Sequence, residues 1–283
     1  MNGFKEALAK YLFLAVACVS ILAVGLICVF LFVNGVPAMA QIGLGDFLLG
    51  HTWRPGNNLY GIFPMILGSV YVTAGAVLIG VPIGILTAMY MAFFAGRRAL
   101  RFLRPAVELL AGIPSVVYGF FGLVVLVPLI GRLPGGNGSS ILTASLLLGI
   151  MILPTIITVS NSALRAVPQS YYEGALALGA THERSAFTIL LPAAKSGVLA
   201  GVILGVGRAV GETMAVIMVA GNQPRVPVSI LKGVRTLTAN IVLEMGYAAD
   251  LHREALIATA VVLFTFILLI NLSFSALKRR RGL

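Results

Sequence analysis

The sequence predicts an all-α polytopic membrane protein with six transmembrane helices, and three observations predict it. Of 283 residues, 59% are hydrophobic and only 10% are charged, against roughly 25% charged in an ordinary soluble domain. Apolar runs long enough to cross a hydrocarbon core, which takes about 20 residues, recur along the whole chain. The runs are continuous rather than alternating every second residue, so helices and not barrel strands must do the spanning.

The six apolar stretches fall at approximately 11–33, 63–95, 106–130, 141–164, 196–222 and 255–277. Lys5 and Lys10 precede the first, and Ala38-Met39-Ala40 resembles a small-x-small cleavage site. A run this long exceeds the ~7–15-residue core of a signal peptide, so a retained anchor is the expectation. Cys18 and Cys28 lie in that same run, about 15 Å apart along a helix, too far for a disulfide. The second stretch is too long for a perpendicular crossing, and Pro64, Pro82, Pro114, Pro128 and Pro154 imply kinks or helix ends. Between the last two stretches, residues 223–254 form the longest exterior segment. There Ile230, Leu231, Val234, Leu237, Ile241, Val242 and Met245 follow a helical stripe that predicts a helix lying on the membrane surface or packed on the span tops.

A net charge of +11 would suggest nucleic acid as the partner of a soluble chain, but these cations sit in short clusters at the ends of apolar runs and read as topology signals. Residues 1–10, 95–105, 165–195 and 278–283 hold thirteen Lys and Arg, against six on the other side, Arg54, Arg132, Arg225, Lys232, Arg235 and Arg253. Both termini are therefore expected in the cytoplasm. The chain divides into an anchor helix and exterior segment at 1–62, a membrane domain at 63–277 and a basic cytoplasmic tail at 278–283.

Residues 165–195 are the most informative cytoplasmic loop. Arg165-Ala-Val-Pro168 ends a span, and Tyr171-Tyr-Glu173-Gly-Ala-Leu-Ala-Leu-Gly179-Ala leads on to Leu191-Pro192. The pattern predicts two short helices joined at Gly179, with Pro168 opening the first and small Gly174, Ala175 and Ala177 keeping it thin. Glu173-Gly174-Ala175, then after three intervening residues Gly179, and after nine more Ile189 and Leu191-Pro192 resemble the EAA loop of ABC importer permeases. Gly174 departs from that motif, where a second alanine is usual, at some loss of helix propensity. The resemblance implies a type I ABC importer permease core of the MetI-like kind. It also implies that Glu173, Gly174, Ala175 and Gly179 belong to a coupling helix docking on an ATPase; the bland alternative is an ordinary connection between spans.

Three further segments narrow the resemblance. They are Glu108 through Gly119, Gly205-Val-Gly-Arg208-Ala-Val-Gly-Glu212-Thr-Met-Ala-Val216 running to Gly221-Asn222, and Thr236-Leu-Thr-Ala-Asn240. Together they resemble the PstC/PstA family of phosphate-specific ABC importer permeases, the PstC subunit more than the PstA. The implied partners are a PstA-like sister permease forming a heterodimer, two PstB-like cytoplasmic ATPase subunits and an exterior PstS-like phosphate-binding protein. The implied location is a bacterial cytoplasmic (inner) membrane, with the lipid bilayer around the chain and no nucleic acid. ATP and Mg2+ would be used by the ATPase, with no cofactor bound by this chain.

Arg208 and Glu212 are predicted to share one face of the fifth span, a turn apart. A charge at a helix centre costs roughly 2.5–3.5 kcal/mol even on the lenient insertion scale, so both should face a partner or a watery path. An internal ion pair is one reading. The other gives Arg208 the anionic oxygens of a phosphate, through a planar fork of donors that stays charged. Glu212 would then accept from a P–OH, which sulfate lacks. Gly201, Gly205 and Ala209 suit close helix packing rather than a dinucleotide loop. Arg104 and Glu108 read as an interfacial anchor, and the prolines and glycines of 113–119 as a kink or a moving part.

Other chemistry lacks its parts. None of the five lysines follows a phosphate-loop glycine pattern. His51, His182 and His252 are scattered for a metal, and Ser115 and Ser160 have no nearby base. The chain reads as a transport permease rather than an enzyme. An ion-driven secondary transporter, a membrane sensor, and a sulfate or molybdate permease remain as alternatives.

Overall fold

The computed structural model describes residues 2–280, with side chains from 5 to 273; the basic tail 278–283 lies outside the described side chains. The chain is helical apart from one short hairpin. Helix α1 (Asn2–Ile42) leads through α2 (Leu44–Leu49) to strands β1 (Trp53–Arg54) and β2 (Leu59–Tyr60), which pair antiparallel with Trp53 opposite Tyr60. Helix α3 (Phe63–Met89) continues through a π-turn, Tyr90–Phe94. Helix α4 (Arg97–Gly112) is followed by α5 (Ser115–Phe121), a π-turn and α6 (Val127–Gly131). Helix α7 (Ile141–Arg165) leads to the short pair α8 (Gln169–Ala177) and α9 (His182–Ser185). Then come α10 (Leu191–Ala193), α11 (Lys195–Gly211), α12 (Met214–Val219), α13 (Leu237–Glu244) and α14 (Asp250–Arg280).

Among the described residues four helices are long and apolar enough to cross a membrane singly, and the total reaches six if each of two bent pairs is one span. Counted that way the spans agree with the six apolar stretches, and the kink expected at Pro114 proves to be a sharp bend. Around Ile113-Pro114 the chain bends by 96° between Arg97–Gly112 and Ser115–Gly131. Pro114 holds Ile113 extended, with ψ 125°, because a residue before proline is pushed out of the α region. Helix α4 is therefore a separate amphipathic helix carrying Arg97, Arg98, Arg101 and Arg104, set at a steep angle to the apolar segment that begins at Ser115. The fifth span likewise bends by 72° between His182–Ala193 and Lys195–Gly211.

Helix α7 is the axle of the bundle. Leu147, Leu148, Met151, Ile152 and Ile156 are at most 1% exposed, and α3 and α11 pack on either side of it. Small residues set both contacts. A Cβ added at Gly80 or Gly84 on α3 would lie 2.7 Å from Ile152 or Ile156, and one at Gly205 on α11 would lie 2.9 Å from Ile156. Such close approach is how helices associate in lipid, where no hydrophobic drive favours one helix over another. The four-residue spacing of Gly201, Gly205 and Ala209 serves this packing, as the sequence suggests.

Helix α1 packs on α14 at its outer end, with Ala38 buried and Gly35 beside Ala258 and Val261. From Leu8 to Val29 its large apolar side chains are exposed, as a lipid-facing helix requires.

The exterior segment departs from its predicted stripe. Within the predicted stripe Leu237–Glu244 is helical, capped by the Thr236 hydroxyl accepting from the Ala239 N–H. Pro224, Pro227 and Gly233 keep the preceding residues irregular. Val234 is buried whereas Ile230 is exposed, so the seven apolar residues do not form one face.

Candidate functional site

The helical hairpin at 169–185 forms as its residues dictate. Pro168 precedes α8, and Gly179 turns the chain at φ +82°, a left-handed conformation that side chains disfavour. The Thr181 hydroxyl then caps α9 by accepting from the Arg184 N–H. Beside it, the Glu183 carboxyl is held below its ordinary range by its own backbone N–H and by Thr181. Ala175 is buried and pins the hairpin to the body, whereas Glu173, Gly174 and Gly179 are exposed. A Cβ at Gly174 or Gly179 would meet nothing within 4 Å. Tyr171, Leu176 and Leu178 are also exposed, Leu178 at 91%. The result is a thin prong with an apolar tip.

Arg208 and Glu212 are separated by a break that the sequence pattern does not reveal. Helix α11 ends at Gly211, and Glu212 is extended, with φ −70° and ψ 127°. The two side chains therefore do not share a helical face, and among the described residues they form no ion pair with each other. Gly211 disfavours continuation, and the Glu212 carboxylate Oε1 instead accepts from the Ala215 N–H at 3.2 Å, restarting the chain as α12. Arg208 lies half-buried in the last turn of α11, where the helix dipole favours a cation.

Glu212 faces a set of hydroxyls. Ser69 and Thr73 of α3, with Thr236 and Thr238 before and within α13, line a cavity of about 190 Å³ beside it. The Thr238 hydroxyl donates to the Glu212 carbonyl at 3.3 Å, and the Leu237 N–H donates to Ser69 Oγ at 2.9 Å. The space is too narrow for a water-sized sphere, while Glu212 itself keeps part of its surface exposed. Arg208 does not line this cavity; it lies on the neighbouring, half-exposed side.

A third cluster escaped the sequence reading. At the end of the bundle opposite the helical hairpin, Glu244 is 7% exposed, and its carboxylate accepts from Trp53 Nε1 at 2.8 Å, from Arg235 Nη1, and from His252 Nε2 at 2.9 Å. Arg235 also donates to Asn240 Oδ1 at 3.0 Å and to the Asn222 carbonyl at 3.1 Å. A buried carboxylate costs several kcal/mol unless partners satisfy it, and here three donors from three elements do so. The cluster thereby ties the hairpin, the exterior segment and the last span together. Trp53 and Glu244 are 191 residues apart, so no local spacing signals their contact. The available signal was a lone acid within an apolar stripe.

With this geometry in place, the chain's relatives can be compared with it. Residues 80–282 match the family described as "Binding-protein-dependent transport system inner membrane component". The probable ABC transporter permease protein YqgH of Bacillus subtilis (strain 168) is 39% identical over 277 residues, covering 94% of this chain and 90% of that protein. The phosphate transport system permease protein PstC of Xylella fastidiosa (strain Temecula1) is 36% identical, covering 99% and 95%. PstC of Mesorhizobium japonicum is 34% identical, covering 90% and 84%. Among solved structures, an amino acid ABC transporter superposes with a TM-score of 0.58 at 18% identity, covering 77% of this chain and 93% of that one. An inward-facing MetNI methionine ABC transporter gives 0.58 at 20%, covering 81% and 99%. At these identities the two structures speak to the fold, which is that of ABC importer permeases.

Proposed function

The chain belongs to the family of binding-protein-dependent transport system inner membrane components, and we propose that within it the chain is the PstC-type permease half of an ATP-driven phosphate importer. It is a multi-pass membrane protein, and its relatives are transport permeases rather than enzymes. The observation that carries the reading to particular residues is the helix break at Gly211-Glu212, flanked by a half-buried guanidinium and a carboxylate. Irregular backbone at membrane depth is tolerated where it is buried in protein or lines a watery cavity. Broken helices of this kind mark transport sites.

In this reading Arg208 stabilises the anion and Glu212 accepts from a protonated phosphate oxygen, at the interface with a PstA-like sister permease. The exposed prong at 173–179 docks on one of two PstB-like ATPases, which use ATP and Mg2+. An exterior PstS-like protein delivers phosphate, in a bacterial cytoplasmic membrane with both termini of this chain in the cytoplasm. Closure of the ATPases moves the prongs and rotates the attached spans as packed bodies.

Reconstitution with these three kinds of partner, comparing phosphate with sulfate, tests the reading. ATP-dependent phosphate uptake at least tenfold above sulfate is expected. Equal or preferred sulfate uptake overturns the substrate. Uptake that survives removal of the ATPase but collapses with an uncoupler overturns the mechanism.

A further inference from the structure

We propose that His182 is a positioning residue that carries the motion of the cytoplasmic prong into the second span. The inference rests on the prong being the ATPase-docking element, and goes beyond that reading by assigning the route inward. His182 opens α9, on the far leg of the prong. Its Nε2 lies 3.1 Å from the carbonyl oxygen of Phe93, in the π-turn that ends α3. A carbonyl only accepts, so Nε2 carries the hydrogen. On the other side of the ring, Nδ1 lies 2.9 Å from the Tyr172 hydroxyl, on α8, and in the neutral ring it accepts that O–H. The imidazole thus bonds both legs of the prong to the end of a span that is remote from them in sequence. The Phe94 ring, 4.7 Å away, and the Tyr172 ring, 5.5 Å away, hold it edge-on.

The end of α3 offers suitable attachment points. The last carbonyls of a helix lack intrahelical partners and carry its negative dipole end. Two side chains take them here. Arg165, at the end of α7, donates to the Met91 carbonyl at 2.6 Å, and His182 takes that of Phe93. The first bond joins two spans to each other, so it moves with the body. The second is a polar link from the prong itself. Around it, Ala186, Leu190 and Phe93 supply apolar packing, which resists compression but holds weakly against separation. A directional hydrogen-bonded ring resists both. From Phe93, α3 runs back about 30 Å to Thr73 and about 36 Å to Ser69, whose side chains line the same cavity as Glu212. Its glycine-set contacts with α7 make that length a packed body rather than a loose rod. A pull on Phe93 is therefore delivered to the wall of the Glu212 cavity.

The test compares His182→Leu, which keeps bulk but neither bond, with His182→Gln, whose amide can donate to Phe93 and accept from Tyr172. Phosphate moved per ATP hydrolysed is measured in proteoliposomes holding the full complex. A spin label at Leu78→Cys, on the lipid-exposed face of α3, reports movement in a Cys18→Ser, Cys28→Ser background. His182→Leu is expected to lower phosphate moved per ATP at least fivefold and to reduce the ATP-driven label displacement, with His182→Gln restoring both to within twofold of the parent. An unchanged ratio and displacement in His182→Leu overturns the inference. So does a fall in uptake and hydrolysis in equal proportion, with ATPase lost from the purified complex, which assigns His182 to docking. The label reads ATP-driven motion whatever the solute, so a complex that fails to move phosphate still tests the link while separately refuting the substrate.

Discussion

Arg208→Ala lowers phosphate uptake by about a hundredfold or more in the reconstituted importer. A hydrogen bond to a charged group contributes about 1.5–3 kcal/mol, and a guanidinium fork makes two of them to a phosphate. With about 1.4 kcal/mol per factor of ten, losing both accounts for that fall. Glu212→Gln keeps an acceptor oxygen but loses the charge, and its expected loss is about tenfold. The double variant Arg208→Ala/Glu212→Ala separates two accounts. If the residues served only to neutralise each other, removing both would recover most of the loss that either single change causes. If each meets the solute, the double variant stays at least as impaired as Arg208→Ala. The absence of a direct pair between them in the structure favours the second outcome. Uptake by both single variants at the parent rate would remove them from the mechanism.

The second large effect belongs to the prong. Leu178 is 91% exposed at its tip, next to the left-handed Gly179. Burying a leucine side chain against a partner gains about 1.5–3 kcal/mol, and an aspartate in its place adds the cost of desolvating a charge. Leu178→Asp is expected to weaken ATPase binding by about tenfold to a hundredfold, measured by copurification and by titration of the ATPase onto the membrane complex. The change lies in open space, so the thermal stability of the permease alone should not move. ATPase binding at the parent affinity would show that the tip is not the docking surface.

How much of this was legible beforehand varied with the range of the interaction. The prong follows from neighbours in sequence, through Pro168 and Gly179, and its two short helices are joined where their spacing suggests. The glycine ridge of α11 is also local, being a four-residue repeat on one helix. The breaks at Ile113-Pro114 and Gly211-Glu212 were harder to read, because continuous hydrophobicity hides a change of direction. Pro114 announced a kink but not a 96° bend. Gly211 carries no local signal that sets it apart from the other glycines of that stretch, although it ends the helix between the two charges of greatest interest. The exterior cluster was out of reach, since Trp53, Arg235, Glu244 and His252 come together only when the first hairpin, the exterior segment and the last span have folded. The hydroxyls of Ser69 and Thr73 belong to the same class. Each is unremarkable in a span until α3 places it opposite Glu212.

The central claim is that the break between Arg208 and Glu212 lies on a watery route for the solute. Gly211 is exposed, and a Cβ there would meet nothing within 4 Å, so Gly211→Cys places a thiol at the break with little strain. In a Cys18→Ser, Cys28→Ser background within the assembled complex, a charged water-soluble thiol reagent should modify position 211 during ATP turnover, and phosphate should slow that modification severalfold while sulfate should not. A thiol that stays unreactive throughout the cycle, or reacts at a rate indifferent to phosphate, would contradict the account.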